Sequence, residues 1–209
     1  MHHDHQGFEK VTMDTATPRF AQDRPFGLIL VISGVVGWLA SGQLVLERLA
    51  VYADPNYVTS CDVNAFVSCG EVFKTWQASL FGFPNPLLGI VAFSVVITTG
   101  AMLLAGANVA RWYWRALQVG VTLGMVFTIW LWSQALFAIG ILCIYCMIVW
   151  AAMIVLTIFL TSRNFVCGVF PASERVRQFL SGWTGTTAAL LVIATAATVF
   201  FRFIGVFAG

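Results

Sequence analysis

Apolar residues in this chain come in long unbroken runs, not in the short periodic stripes of a water-soluble fold. A helix crossing about 30 Å of hydrocarbon needs about 20 apolar residues. Phe26 to Leu46 supplies one such run, Pro86 to about Ala105 a second, and Trp183 to Phe201 a third. Between them, Ala116 to Thr161 holds no charge and is about twice the length of one span. It predicts two helices folded into a hairpin, with Gly140 near the bend. Five spans follow, which makes the chain an all-α integral membrane protein with no internal repeat and no low-complexity tract.

Composition agrees with that pattern. The 209 residues are 59% hydrophobic and 10% charged, where a soluble domain carries about 25% charge. A net charge of +2, without a basic stripe interleaved with exposed aromatics, excludes nucleic acid as a partner. Residues 1–25 lack an apolar core followed by small residues, so they are expected to form a cytoplasmic tail, with the first span as an uncleaved signal. His2, His3 and His5 are read there as part of a solvated tail, not as metal ligands.

Basic residues near span ends resist translocation. With the N-terminus inside, the inner segments hold Lys10, Arg19, Arg24, Arg111, Arg115, Arg163, Arg175 and Arg177, against Arg48, Lys74 and Arg202 outside. The expected layout is a multi-pass protein of the plasma (inner) membrane. The loop at 49–85, the bend near Gly140 and the C-terminus face the extracytoplasmic side, and 162–182 forms a cytoplasmic loop before a fifth helix and short outer tail over 183–209.

That orientation sorts the cysteines. Cys61 and Cys69 fall in the outer loop, Cys143 and Cys146 just past the outer bend, and Cys167 on the inner side. Disulfides persist outside the cytoplasm and are rare within it, so four cysteines are candidate redox partners and Cys167 a free thiol. Cys143-Ile144-Tyr145-Cys146 is a CxxC whose cysteines share a helix face, at a helix start where free N–H groups favour a thiolate. A haem attachment needs His where Met147 stands, and a structural zinc site needs four ligands closed together. Taken singly, the CxxC also reads as buried and inert, and the loop pair as an ordinary stabilising disulfide. Two pairs on one membrane face suggest a relay by thiol–disulfide exchange, with a lipid-soluble acceptor such as a quinone.

No GxGxxG, P-loop or HExxH occurs, so nicotinamide, phosphate and zinc-protease chemistries have no foothold. The spans also lack the ionisable group that pumps and ion-coupled transporters keep within the membrane; their interior polar candidates are residues such as Gln118, Ser133 and Gln134. The competing class is a non-catalytic transporter or assembly factor with a structural loop disulfide.

Cys61-Asp62-Val63, Ser68-Cys69, Val72-Phe73, Asn85 with Gly89 four residues on, and Cys143-Ile144-Tyr145-Cys146 together resemble the bacterial homologues of vitamin K epoxide reductase over about residues 26–161. The resemblance implies a four-helix transmembrane bundle holding the active site, with the fifth helix outside it. It further implies a quinone cofactor, menaquinone before ubiquinone, and electron flow from a partner to Cys61, through Cys69 to Cys143, and from Cys146 to the quinone. Asn85 matches the asparagine that hydrogen-bonds a quinone carbonyl; its other reading is a cap for the second span, just before Pro86. Trp150 stands where the animal enzymes have a tyrosine, four residues after the second CxxC cysteine. No thioredoxin-like domain follows the fifth span, which implies a separate extracytoplasmic thioredoxin-like (DsbA-like) partner.

Phe81, Phe83, Phe93, Trp130 and Trp132 are candidates to wall a flat pocket, with Phe93 preferred among them, although interfacial anchoring is the commoner use of such rings. Thr75 is expected to support the loop, and Asp62 to cap its short helix through the carboxylate.

Overall fold

The computed structural model describes residues 17–207 except residue 55; His2, His3, His5 and Lys10 lie outside the described residues. Helix α1 spans Asp23–Ala53, the short α2 Cys69–Phe73, α3 Pro86–Leu104, α4 Arg111–Ser133, α5 Ile144–Val166 and α6 Glu174–Phe207. Five of these are long and apolar enough to cross a membrane. Among the described residues there is no β-strand, only isolated bridges. The protein is a multi-pass, all-α membrane protein.

Helices α1 and α3 approach closely because both present small residues. Gly27 lies against Gly100, Gly34 against Ile97, Gly37 against the Phe93 ring and Ser41 against Gly89. Without water to drive apolar burial, such stripes let helix backbones gain dispersion contacts. The opposite face of α1, with Leu28, Ile32, Leu39 and Leu46, stays exposed, as a lipid-facing surface should.

The expected hairpin is present. After α4 the chain widens into a π-helix over Gln134–Ile139 and stops at Gly140, which takes a left-handed φ of 71°. A β-carbon is disfavoured in that region, which explains glycine at the bend.

Helices extend beyond the hydropathic runs. The first continues seven residues past Leu46 to Ala53, so α1 takes in Arg48 and the first residues, 49–53, of the expected loop. The segment 162–182 is mostly helical, because α5 runs to Val166 and α6 starts at Glu174. Hydropathy marks the apolar stretch, whereas backbone hydrogen bonding carries a helix on through polar ends.

At one end of the bundle, buried Arg163 of α5 pairs with Asp23 at 2.8 Å and lies over the rings of Trp114 at 4.1 Å and Phe26 at 4.8 Å. This fastens α1, α4 and α5 together. Cys167 is at the same end, its thiol pushed up by burial, and Arg111, Arg115, Arg175 and Arg177 begin α4 and α6 there. The remaining four cysteines gather at the far end, about 34 Å away along the 23 residues of α5.

Candidate functional site

The loop between α1 and α3 is tied down at several points. Leu142 N–H donates to Phe66 O at 2.8 Å and Ser68 N–H to Leu142 O at 3.0 Å, so the loop pairs with the strand-like residues just before Cys143. Glu47 of α1, 3% exposed, accepts from Ser60 N–H at 3.2 Å. The Ser60 and Tyr145 hydroxyls lie 3.0 Å apart. One anchor therefore sits inside the CxxC itself, and another beside Cys61.

Within the loop, Ser68 caps α2 by accepting from Glu71 N–H at 3.0 Å. Asp62 accepts from the Ser68 hydroxyl at 2.6 Å, Thr59 N–H at 2.9 Å and Gly70 N–H at 3.1 Å. Its carboxylate thus supports the first turn of α2, as expected. Partial burial raises the Asp62 carboxyl, but these hydrogen bonds outweigh it and hold the group below the usual carboxylate range. Thr75 donates to Val72 O at 2.8 Å, the loop-supporting role expected of it.

These anchors bring three sulfurs together. Cys61 and Cys69 form a disulfide with their Cα atoms 5.6 Å apart, and Cys69 Sγ lies 3.1 Å from Cys143 Sγ. The three sulfurs fall within 4.8 Å of one another; with two of them bonded, only one thiolate remains to offer a metal. All three are buried beside Leu44 and Phe73.

Cys143 and Cys146 are free thiols but not in the expected helical relation. Cys143 is the N-cap of α5, extended at φ −123°, and its sulfur accepts from Cys146 N–H at 3.4 Å. Stabilisation by the helix start therefore falls on Cys143, the first cysteine of the pair. Hydrogen bonding from the Cys146 thiol, aided by backbone N–H groups, holds the Cys143 thiol below its usual range against burial and the Asp62 charge. A cap residue lies outside the helix, so its side chain can turn back onto the first turn.

Behind the thiols a cavity of about 490 Å³ runs between the helices. Cys143, Cys146, Asn85, Phe93 and Trp150 all line it, so the expected thiol pair and the expected cofactor residues share one space. Asn85 makes no cap hydrogen bond to α3. Its side chain instead donates to Gln77 O at 2.6 Å and accepts from Leu80 N–H at 3.2 Å, and one amide hydrogen stays uncommitted. The Trp150 indole N–H has no partner among the described residues. Phe93 walls the cavity. Phe81, Phe83, Trp130 and Trp132 do not: Phe81 stacks on Phe83, and Trp130 on Phe127.

Sequence reasoning missed Glu47, Arg48 and Gln77, each over nine-tenths buried. Arg48 and Gln77 line the cavity, and Gln77 also donates to Gln134 of the π-helix at 3.3 Å. The signal was present in Glu47 and Arg48, adjacent charges within helical reach of an apolar span.

A sequence model of the Vitamin K epoxide reductase family matches residues 28–161. No curated protein matches the chain. The matched segment covers well over half of the sequence, contains all four clustered cysteines and runs from α1 into α5. The chain belongs to the vitamin K epoxide reductase family, and the disulfide of its loop gives it the redox character of that family.

Proposed function

We propose that this protein is a membrane thiol:quinone oxidoreductase that generates disulfides in a separate, thioredoxin-like extracytoplasmic protein, with its cysteine end on the outer face of the plasma membrane. The observation that carries this reading is the 3.1 Å approach of Cys69 Sγ to Cys143 Sγ. It makes one continuous path from the loop disulfide to a thiol pair that opens on an apolar cavity.

The cavity fits a quinone. Its volume of about 490 Å³ is within the roughly 300–1,000 Å³ of small-ligand sites. The uncommitted Asn85 amide hydrogen and the Trp150 indole N–H are donors suited to ring carbonyls, and Phe93 supplies a flat wall. A bound quinone, menaquinone before ubiquinone, supplies a two-electron acceptor.

The chain's own residues do the rest. The partner's dithiol reduces the Cys61–Cys69 disulfide, and the partner leaves oxidised. Cys69 thiolate then attacks Cys143 of a Cys143–Cys146 disulfide, and Cys146 departs as thiolate. Cys61 attacks Cys69 in turn and closes the loop disulfide, expelling Cys143. A low-pKa thiol is the better leaving group, and the hydrogen bonds on Cys143 favour its release. This step leaves the loop pair oxidised and the CxxC reduced. Cys143 and Cys146 close again as their two electrons and two protons pass to the acceptor.

Single substitutions test the scheme. Cys143→Ala and Cys146→Ala should each abolish reduction of a naphthoquinone by a reduced thioredoxin-like protein. Cys61→Ala should abolish turnover with the protein partner yet keep reaction with a small dithiol. Full activity in either CxxC variant would overturn the assignment.

A further inference from the structure

Arg48 is the one cationic residue that lines the cavity among the described residues. It is 7% exposed. Its Nε donates to Tyr52 Oη at 2.9 Å, Nη2 to Ser79 Oγ at 2.7 Å and Nη1 to Ala78 O at 3.4 Å. The rings of Tyr52 and Phe73 each lie 5.4 Å from its charge centre. Every acceptor is neutral. The neighbouring carboxylate, Glu47, is turned instead to Gln43 and the Ser60 N–H. A guanidinium has five N–H donors, so two remain after those bonds.

Burying a cation without a carboxylate is costly, and packing alone would be better served by Leu or Met. Position says what compensates the charge. Ala78 O accepts from both Arg48 and the Asn85 N–H, so the guanidinium stands beside Asn85, the residue expected to meet a ring carbonyl.

We propose that Arg48 makes this cavity an anion-accepting quinone site. It binds acidic quinones in their ionised form and faces the negative charge that reaches the ring oxygens while two electrons and two protons arrive from Cys143 and Cys146. The inference rests on the quinone reading above and adds a charge preference to it. Arg48 would touch the ring or its oxygens, so the role is direct.

Binding to the full-length protein in detergent tests it, read by tryptophan fluorescence. Two probes of similar size separate charge from shape: 2-hydroxy-1,4-naphthoquinone, ionised at neutral pH, and its neutral 2-methoxy analogue. The wild type should bind the ionised probe about tenfold more tightly, the worth of one charge-assisted hydrogen bond. Arg48→Gln should lose that preference, weakening the ionised probe about tenfold more than the neutral one, and Arg48→Lys, which keeps the charge but not the planar fork, should retain part of it. Equal affinity of the wild type for both probes overturns the proposal, with or without a folded variant. Equal loss of both probes in Arg48→Gln also overturns it, marking Arg48 as a clamp on residues 78–79. Failure of the wild type to bind either probe or to reduce a naphthoquinone sinks the quinone reading itself.

Discussion

At the scale of single residues, the proposed quinone site rests on polar side chains with spare hydrogen-bonding capacity. Asn85 and Trp150 both line the cavity and both carry side-chain N–H donors, but only Asn85 also holds the backbone of Gln77 and Leu80. Trp150→Phe keeps the wall and removes one donor, so kcat/KM for a naphthoquinone should fall by about fivefold with unchanged thermal stability. Asn85→Ala should cost about a hundredfold in kcat and also lower the melting temperature. Steady-state kinetics beside thermal melts will separate the two.

Asp62 carries a prediction about pH. Its folded pKa lies below the unfolded one, so the stability it lends the loop is complete above the ordinary carboxylate range of about 4. That stability is lost as pH falls through the lower folded value. Hydrogen exchange at the Thr59 and Gly70 amides should stay slow down to that range and accelerate only beneath it. In Asp62→Asn the same amides should exchange fast at every pH.

At the scale of elements, the α1–α3 contact is both scaffold and wall. An added β-carbon at Gly100 would meet the Gly27 carbonyl and the Val31 side chain at 2.8 Å, where backbone cannot give way. Gly100→Ala should therefore destabilise by about 1–3 kcal/mol. At Gly37 the obstacle is the Phe93 ring, which can swing into the cavity. Gly37→Ala is expected to spare most stability and weaken quinone binding severalfold. Melting curves and probe titrations on both variants check the contrast.

At the scale of the molecule, α6 lies outside the family-matched segment yet reaches the site. Arg202 donates to Leu136 O at 3.2 Å, Phe203 packs with Leu136, Leu142 and Trp150, and its ring meets Phe66 of the loop with centroids 6.4 Å apart. The fifth helix thus braces the bend, the cavity wall and the loop together. A chain ending at Pro171 should keep the four-helix core but expose its thiols, with alkylation of Cys146 by a maleimide severalfold faster than in the intact protein.

Sequence by itself determined the spans, the hairpin and the gathering of four cysteines at one end, because helix length and hydrophobic run length answer to the same membrane thickness. The spacing and neighbours of those cysteines, with Asn85, also determined the family. Tertiary structure decided what depends on contacts between distant segments. The Phe66–Leu142 pairing brings Cys69 against Cys143 across 74 positions of sequence. The cap geometry of α5 gives the stabilised sulfur to Cys143, and Asn85 turns to the loop rather than to its own helix. Arg48 moved furthest between the two views, from one of three basic residues counted on the outer side to the lining of the cavity. Hydropathy averages over a window, whereas the direction a side chain faces is set by the helices packed around it.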